Sequence, residues 1–122
     1  MNDNAVRAAG ATAIAEALKV NAVLTNLDLS MNGKHVIPEH DGIYDGIGAD
    51  GAKALAEALR VQGRRNAGLT HLDVAGNYFG EEGAKALANA LKVNAVLTKL
   101  NVRYNQIGDE GAKALALSLI HI

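Results

Sequence analysis

The sequence repeats itself, and the spacing of the repeat limits the folds open to it more than any other feature. Three segments align: LTNLDLSMN from Leu24 to Asn32, LTHLDVAGN from Leu69 to Asn77, and LTKLNVRYN from Leu97 to Asn105. They alternate with four others, AAGATAIAEALKV, ADGAKALAEALRV, EEGAKALANALKV and DEGAKALALSLIH. From Asn77 to Asn105 is 28 residues, as it is from Asn4 to Asn32, whereas Asn32 to Asn77 is 45. The central unit therefore holds 17 extra residues, read as two insertions at 33–45 and 62–65.

In the short segments Leu27 and Leu29, Leu72 and Val74, and Leu100 and Val102 alternate with polar residues, which is strand periodicity. In the long ones Ala and Leu recur at helical spacing, as at Ala84, Leu87, Ala88 and Leu91, with Lys85, Asn89 and Lys92 on the other side. Acidic residues open these helices at Asp50, Glu81, Glu82, Asp109 and Glu110, where they favour the exposed amides and the positive end of the dipole. A strand, loop and helix repeated every 28 residues must run parallel. The expected fold is an α/β solenoid, with three parallel strands on a concave face and four helices on the convex one. It is one domain, 1–122, with a partial first unit at 4–23 and units starting near 24, 69 and 97.

The pattern LxxLxLxxN followed by xIGDEGAKALAxAL resembles the leucine-rich repeats of the ribonuclease-inhibitor-like class, including the arrays at the C-terminal ends of NOD-like receptors. The resemblance implies a horseshoe segment whose shared property is a surface for binding other macromolecules. It also implies that Asn32, Asn77 and Asn105 turn inward to bond backbone groups of adjacent turns. Elementary chemistry agrees that they are structural, because a buried amide at a fixed turn position has to be satisfied.

Parallel strands about 4.8 Å apart set equivalent residues side by side, so the open sheet face can be written from the repeat. One row is Asn26, His71 and Lys99, the next Asp28, Asp73 and Asn101, and the third Ser30, Ala75 and Arg103, with Met31 and Tyr104 flanking. The candidate partner-binding residues are Asn26, Asp28, His71, Asp73, Lys99, Asn101, Arg103 and Tyr104; Arg and Tyr are the types enriched at interface hot spots. A serine hydrolase is excluded on spacing. Ser30 falls opposite Ala75, and His71 lies four residues back along its strand, about 13 Å away, whereas a base must lie within about 3 Å of the hydroxyl. VAGNYFGEEG has glycines but neither a P-loop lysine nor a dinucleotide fingerprint, so no enzyme is expected.

The insertion at 33–45 leaves the carboxyl ends of the strands and can overhang the rim of this face. Its rim candidates are His35, Glu39, His40 and Tyr44. Val36, Ile37, Ile43 and Tyr44 argue that it packs down, Pro38 holds Ile37 extended, and Asp41-Gly42 and Asp45-Gly46 read as turns. An alternative function is metal or small-ligand binding by this loop, through His35, Glu39, His40, Asp41 and Asp45. Their spacing matches no established zinc pattern, so neither metal nor cofactor is expected. In the second insertion, Gly63 suits a helix C-cap and Arg64 and Arg65 the negative end of the dipole.

A formal charge of −1, from 12 basic and 13 acidic residues, gives no footprint of a nucleic-acid or anionic-membrane binder. The chain has no cysteine, which excludes disulfides and thiolate chemistry and fits a reducing compartment. With no leader-like start and no long apolar run, a cytoplasmic protein is expected. At the ends, Arg7 replaces glycine, Ala8 and Ala9 replace the helix-opening acids, and Leu117 and Ile120 stand where siblings carry Asn89 and Lys92. Solenoids need polar caps and neither end reads as one. Two outcomes follow: a longer sensor or scaffold array, or self-association through the C-terminal helix or an edge strand. The reading as a whole is a non-catalytic module that binds a protein partner.

Overall fold

A computed structural model of the chain describes residues 8–21, 23–30, 35–36, 44–45, 47–102, 105 and 107–119. The elements run α1 (Ala8–Leu18), β1 (Asn26–Asp28), β2 (His35–Val36), β3 (Tyr44–Asp45), α2 (Gly48–Arg65), β4 (His71–Asp73), α3 (Gly80–Leu91), β5 (Lys99–Asn101) and α4 (Gly108–Leu119). Strand and helix thus alternate as the two periodicities require, and each principal strand reaches the next only through a helix. The resulting sheet is parallel, in the order β1-β4-β5.

Register follows the repeat. Asn26 pairs with His71 and His71 with Lys99, and Asp28 pairs with Asp73 and Asp73 with Asn101. The carbonyl of Thr25 accepts the N–H groups of Thr70 and His71 at 2.8 and 3.0 Å, and that of Thr70 accepts those of Thr98 and Lys99 at the same distances. Beneath the sheet, Leu29, Leu69, Leu72, Val74 and Leu97 are buried with Ile47, Phe79 and the inward leucines of the helices.

The helices pack in sequence, α1 on α2, α2 on α3 and α3 on α4. Alanine on one helix meets glycine on the next. A Cβ added at Gly51 would lie 3.1 Å from the Ala11 methyl, one at Gly83 3.0 Å from Ala52, and one at Gly111 2.9 Å from Ala84. Acids stand in the first turns of α2, α3 and α4, as the sequence indicates, and α1 has none there.

In the two units whose asparagine is described, that residue acts as a backbone clamp. Asn77 Nδ2 donates to Leu29 O at 2.7 Å and Val74 O at 3.0 Å, and Asn105 Nδ2 donates to Val74 O at 2.9 Å. Asn105 Oδ1 accepts the N–H of Asn77 at 2.8 Å. Asn32 lies outside the described residues.

The two insertions add local features to the repeat, and in the second the sequence reading is corrected. Inside the first insertion, His35 pairs antiparallel with Asp45 and Val36 with Tyr44, so this segment closes on a ladder of its own, apart from the three-stranded sheet. In the second, Gly63 is not the cap. The helix continues through Arg65, and Asn66 caps it in the left-handed conformation, φ 53°. Gly63 is required instead by close approach, because a Cβ there would lie 2.4 Å from Val93 O and 2.9 Å from Asn94 Cα. Gln62 stays in register with its siblings. Its Oε1 accepts the N–H of Leu69, as Asn94 Oδ1 accepts that of Leu97. By these bonds Gln62 is the counterpart of Asn94, and the added turn begins at Gly63 rather than at Gln62.

Candidate functional site: an open polar sheet face

The face of the sheet opposite the helices carries an open hollow of about 810 Å³. Asn26, Asp28, His71, Asp73, Lys99 and Asn101 line it, together with Thr98 and Leu27, Leu72 and Leu100. These six polar residues are the two rows written from the repeat, and the register sets them side by side. Of the other residues predicted for this region, Arg103, Tyr104, Glu39 and His40 lie outside the described residues. His35 and Tyr44 are placed by their backbone ladder.

The two carboxylates are held in place by their own strands. Asp28 Oδ1 accepts the N–H of Ser30 at 2.9 Å, and Asp73 Oδ1 accepts that of Ala75 at 3.0 Å. Asn101 Nδ2 donates to Asp73 Oδ2 at 3.4 Å, a long contact that ties β5 to β4 within the row. The acids therefore present fixed oxygens to the hollow instead of sweeping through rotamers, which lowers the ordering cost of any contact they make. Charge is sorted across the face, with the acids on β1 and β4 and the exposed Lys99 at the start of β5.

His71 is anchored as well. Thr70 Oγ1 lies 2.8 Å from His71 Nδ1 and donates to Thr25 O at 3.2 Å. Thr70 Oγ1 thus stands between the His71 ring and the Thr25 carbonyl, and Nε2 is the ring's remaining polar atom. Thr98 Oγ1 repeats the bond to the preceding unit, donating to Thr70 O at 3.1 Å. These threonines do not appear among the residues predicted from sequence, although the recurrence of LT before every strand is their signal.

A second groove, of about 430 Å³, runs between α2 and α3 and is lined by Lys53, Glu57, Arg60, Glu82, Lys85 and Asn89, with Ala56 and Ala86. Its charges are largely answered from nearby positions: Lys85 Nζ lies 2.9 Å from Glu81 Oε1 and Arg60 3.7 Å from Glu57. The hydrogen bond and charge of Glu81 raise the Lys85 pKa above the ordinary lysine value. Among the described residues no group of three or more His, Cys, Asp or Glu could hold a metal ion, and no helix is long and apolar enough to cross a membrane.

Four sequentially packed helices backed by a three-stranded parallel sheet, generated by one recurring unit, define an α/β repeat protein with an exposed polar face. The family described as Leucine Rich repeat matches residues 65–88 and 93–116, which supports a leucine-rich repeat protein. No curated protein matches the sequence. Leucine-rich repeats are commonly non-catalytic modules of protein interaction.

Proposed function

We propose that this chain is a non-catalytic protein-interaction module that takes a protein partner on its sheet face, with the 33–45 insertion at the rim. In this reading the repeats form a solenoid, a segment of a horseshoe whose concave side is that face. The class is the ribonuclease-inhibitor-like one, similar to the C-terminal arrays of NOD-like receptors, and the role is that of a sensor or scaffold in the cytoplasm. The observation that carries it is the pair of rows Asn26–His71–Lys99 and Asp28–Asp73–Asn101, whose acids are fixed by Ser30 and Ala75. Fixed, sorted charge on an open surface gives complementarity and register to a partner.

The test is affinity capture from source cells with the intact chain and with Lys99→Glu combined with Arg103→Glu. Lys99 lies on the face and is exposed, and Arg103 is assigned to its third row from the repeat alone, so thermal unfolding should be little changed. Loss of a specific partner from the variant supports the site. Capture of the same partner at undiminished yield overturns it, and recovery of the chain in the membrane fraction overturns the cytoplasmic role.

A further inference from the structure

The net charge of −1 conceals charge that is sorted along the helix axes. The chain passes from helix to strand along one edge of the array, in segments 19–25, 60–70 and 92–98, which carry Lys19, Arg60, Arg64, Arg65 and Lys92 and no acidic residue. The helix-opening acids Asp50, Glu81, Glu82, Asp109 and Glu110 stand at the opposite ends of the helices. A base in a last turn answers the negative end of the helix dipole. The dipole does not call for exposed aliphatic side chains among those bases, yet Val93 is 57% exposed and Val20 79%. Val93 follows α3, which has α2 packed on one side and α4 on the other, so its exposure is a property of the edge and not of an end of the array.

The added turn of α2 joins these positions. Gly63 rests against the backbone of Val93, whose carbonyl oxygen would lie 2.4 Å from a Cβ at that glycine, and on the other side the Arg65 guanidinium donates to the carbonyl of Lys19. The turn is thereby seated between the loops of the units before and after it, with Arg64 and Arg65 exposed between Lys19-Val20 and Lys92-Val93. Glu57 is shared by Arg60 at 3.7 Å and Arg64 at 4.0 Å, and Lys19 pairs with Glu16 at 3.0 Å. Arg65 and Lys92 have no ion pair among the described residues, so the edge keeps an excess of positive charge.

We infer that this edge docks an acidic segment of a protein partner, one in which aspartate or glutamate alternates with aliphatic side chains. The guanidinium forks of Arg64 and Arg65 and the ammonium of Lys92 suit carboxylates, and Val20 and Val93 offer apolar contact beside them. Segments 19–25, 60–70 and 92–98 hold no Phe, Tyr or Trp. The edge therefore lacks both the platforms on which single-stranded nucleic acid stacks and the aromatic anchors of a bilayer interface, and a protein segment is the occupant that fits its two chemistries. None of Val20, Arg60, Arg64, Arg65, Lys92 and Val93 lines the hollow of the sheet, so the edge is a second surface and does not depend on a partner there.

Fluorescence anisotropy with a labelled peptide of alternating glutamate and leucine tests this on the intact chain, on Arg64→Glu with Lys92→Glu, on Val93→Ser and on Lys99→Glu. All these positions are exposed, so thermal unfolding should match the intact chain in every variant. The intact chain should bind the peptide, more weakly as salt is raised. Reversing the two charges should weaken binding by about tenfold. Val93→Ser should weaken it too, and Lys99→Glu, on the sheet face, should leave it unchanged. No binding by the intact chain overturns the inference, as does undiminished binding in the double variant or in Val93→Ser. A loss in Lys99→Glu as large as in the double variant would move the site to the sheet face, and tighter binding of oligouridylate or of phosphatidylserine vesicles than of the peptide would put nucleic acid or lipid in place of the protein segment; either result overturns it.

Discussion

Gln62 Nε2 donates to the backbone carbonyl of Leu18 at 3.1 Å while its Oε1 accepts the N–H of Leu69 at 3.1 Å, so one buried side chain spans the junction of two units. Gln62→Ala removes both bonds, leaving two backbone groups without these partners at about 1 to 3 kcal/mol each. The expected loss is about 2 to 6 kcal/mol on that basis, read as a lower denaturation midpoint at unchanged slope. Wild-type stability in this variant would dissolve the equivalence with Asn94.

The glycines at helix contacts separate two kinds of constraint. At Gly63 an added Cβ would lie 2.4 Å from Val93 O, a backbone atom with little room to retreat. Gly63→Ala should cost about 1 to 3 kcal/mol, the usual range for overpacking. At Gly111 the nearest neighbour is the Ala84 methyl at 2.9 Å, so Ala84→Gly should recover part of the cost of Gly111→Ala. Gly80→Ala is the control. Nothing lies within 4 Å there, and φ is +60°, so its cost is the left-handed backbone alone, about 1 to 2 kcal/mol. Additive effects of Ala84→Gly and Gly111→Ala in a double-mutant cycle would show that the two residues do not press on each other.

Much of this fold is written in the sequence because it repeats. Leu72 and Val74 alternate with His71 and Asp73, and the register that this alternation implies is the one the strands adopt. The rows of the sheet face were legible for the same reason: equal steps along equal units bring equal positions together. The role of Gly63 was not legible. A glycine near a helix end reads equally as a cap or as a close approach, and Val93 and Asn94, about 30 residues further on, decide between them. Gln62 was hidden because glutamine replaces the usual asparagine, and the His71–Thr70 pairing depends on side-chain geometry that no spacing reveals.

Lys85 and Glu81, 2.9 Å apart on the outer surface of α3, provide a pH test. The hydrogen bond and charge of Glu81 raise the Lys85 pKa, so the folded state holds that proton more tightly than the unfolded chain does. The stabilisation is complete below the ordinary lysine pKa and is lost as pH rises through the raised one. In an NMR titration Lys85 should lose its proton at higher pH than a lysine without an acidic neighbour, and Glu81→Gln should bring it down. An unmoved Lys85 titration in Glu81→Gln would rule out Glu81 as the cause.

The 33–45 insertion should be removable, because the frame on either side of it already makes the bonds of an uninterrupted unit. Before it, Leu29 N–H donates to Asp73 O at 2.8 Å, as Val74 N–H does to Asn101 O at 2.9 Å. After it, Gly48 N–H donates to Asn77 O at 3.1 Å, as Gly80 N–H does to Asn105 O at 2.9 Å. Between these points β2 pairs with β3 rather than with the sheet. Deleting 33–45 joins Asn32 to Gly46, giving NGIG where the sibling units have NYFG and NQIG. Loop length enters stability only logarithmically, so the deletion should shift unfolding by no more than about 1 kcal/mol and leave helical circular dichroism intact. Cooperative unfolding lost in this variant would mean that the insertion contributes to the core. If the variant folds but no longer captures the partner of the intact chain, the insertion belongs to the binding surface, and capture at full yield would confine that surface to the strands.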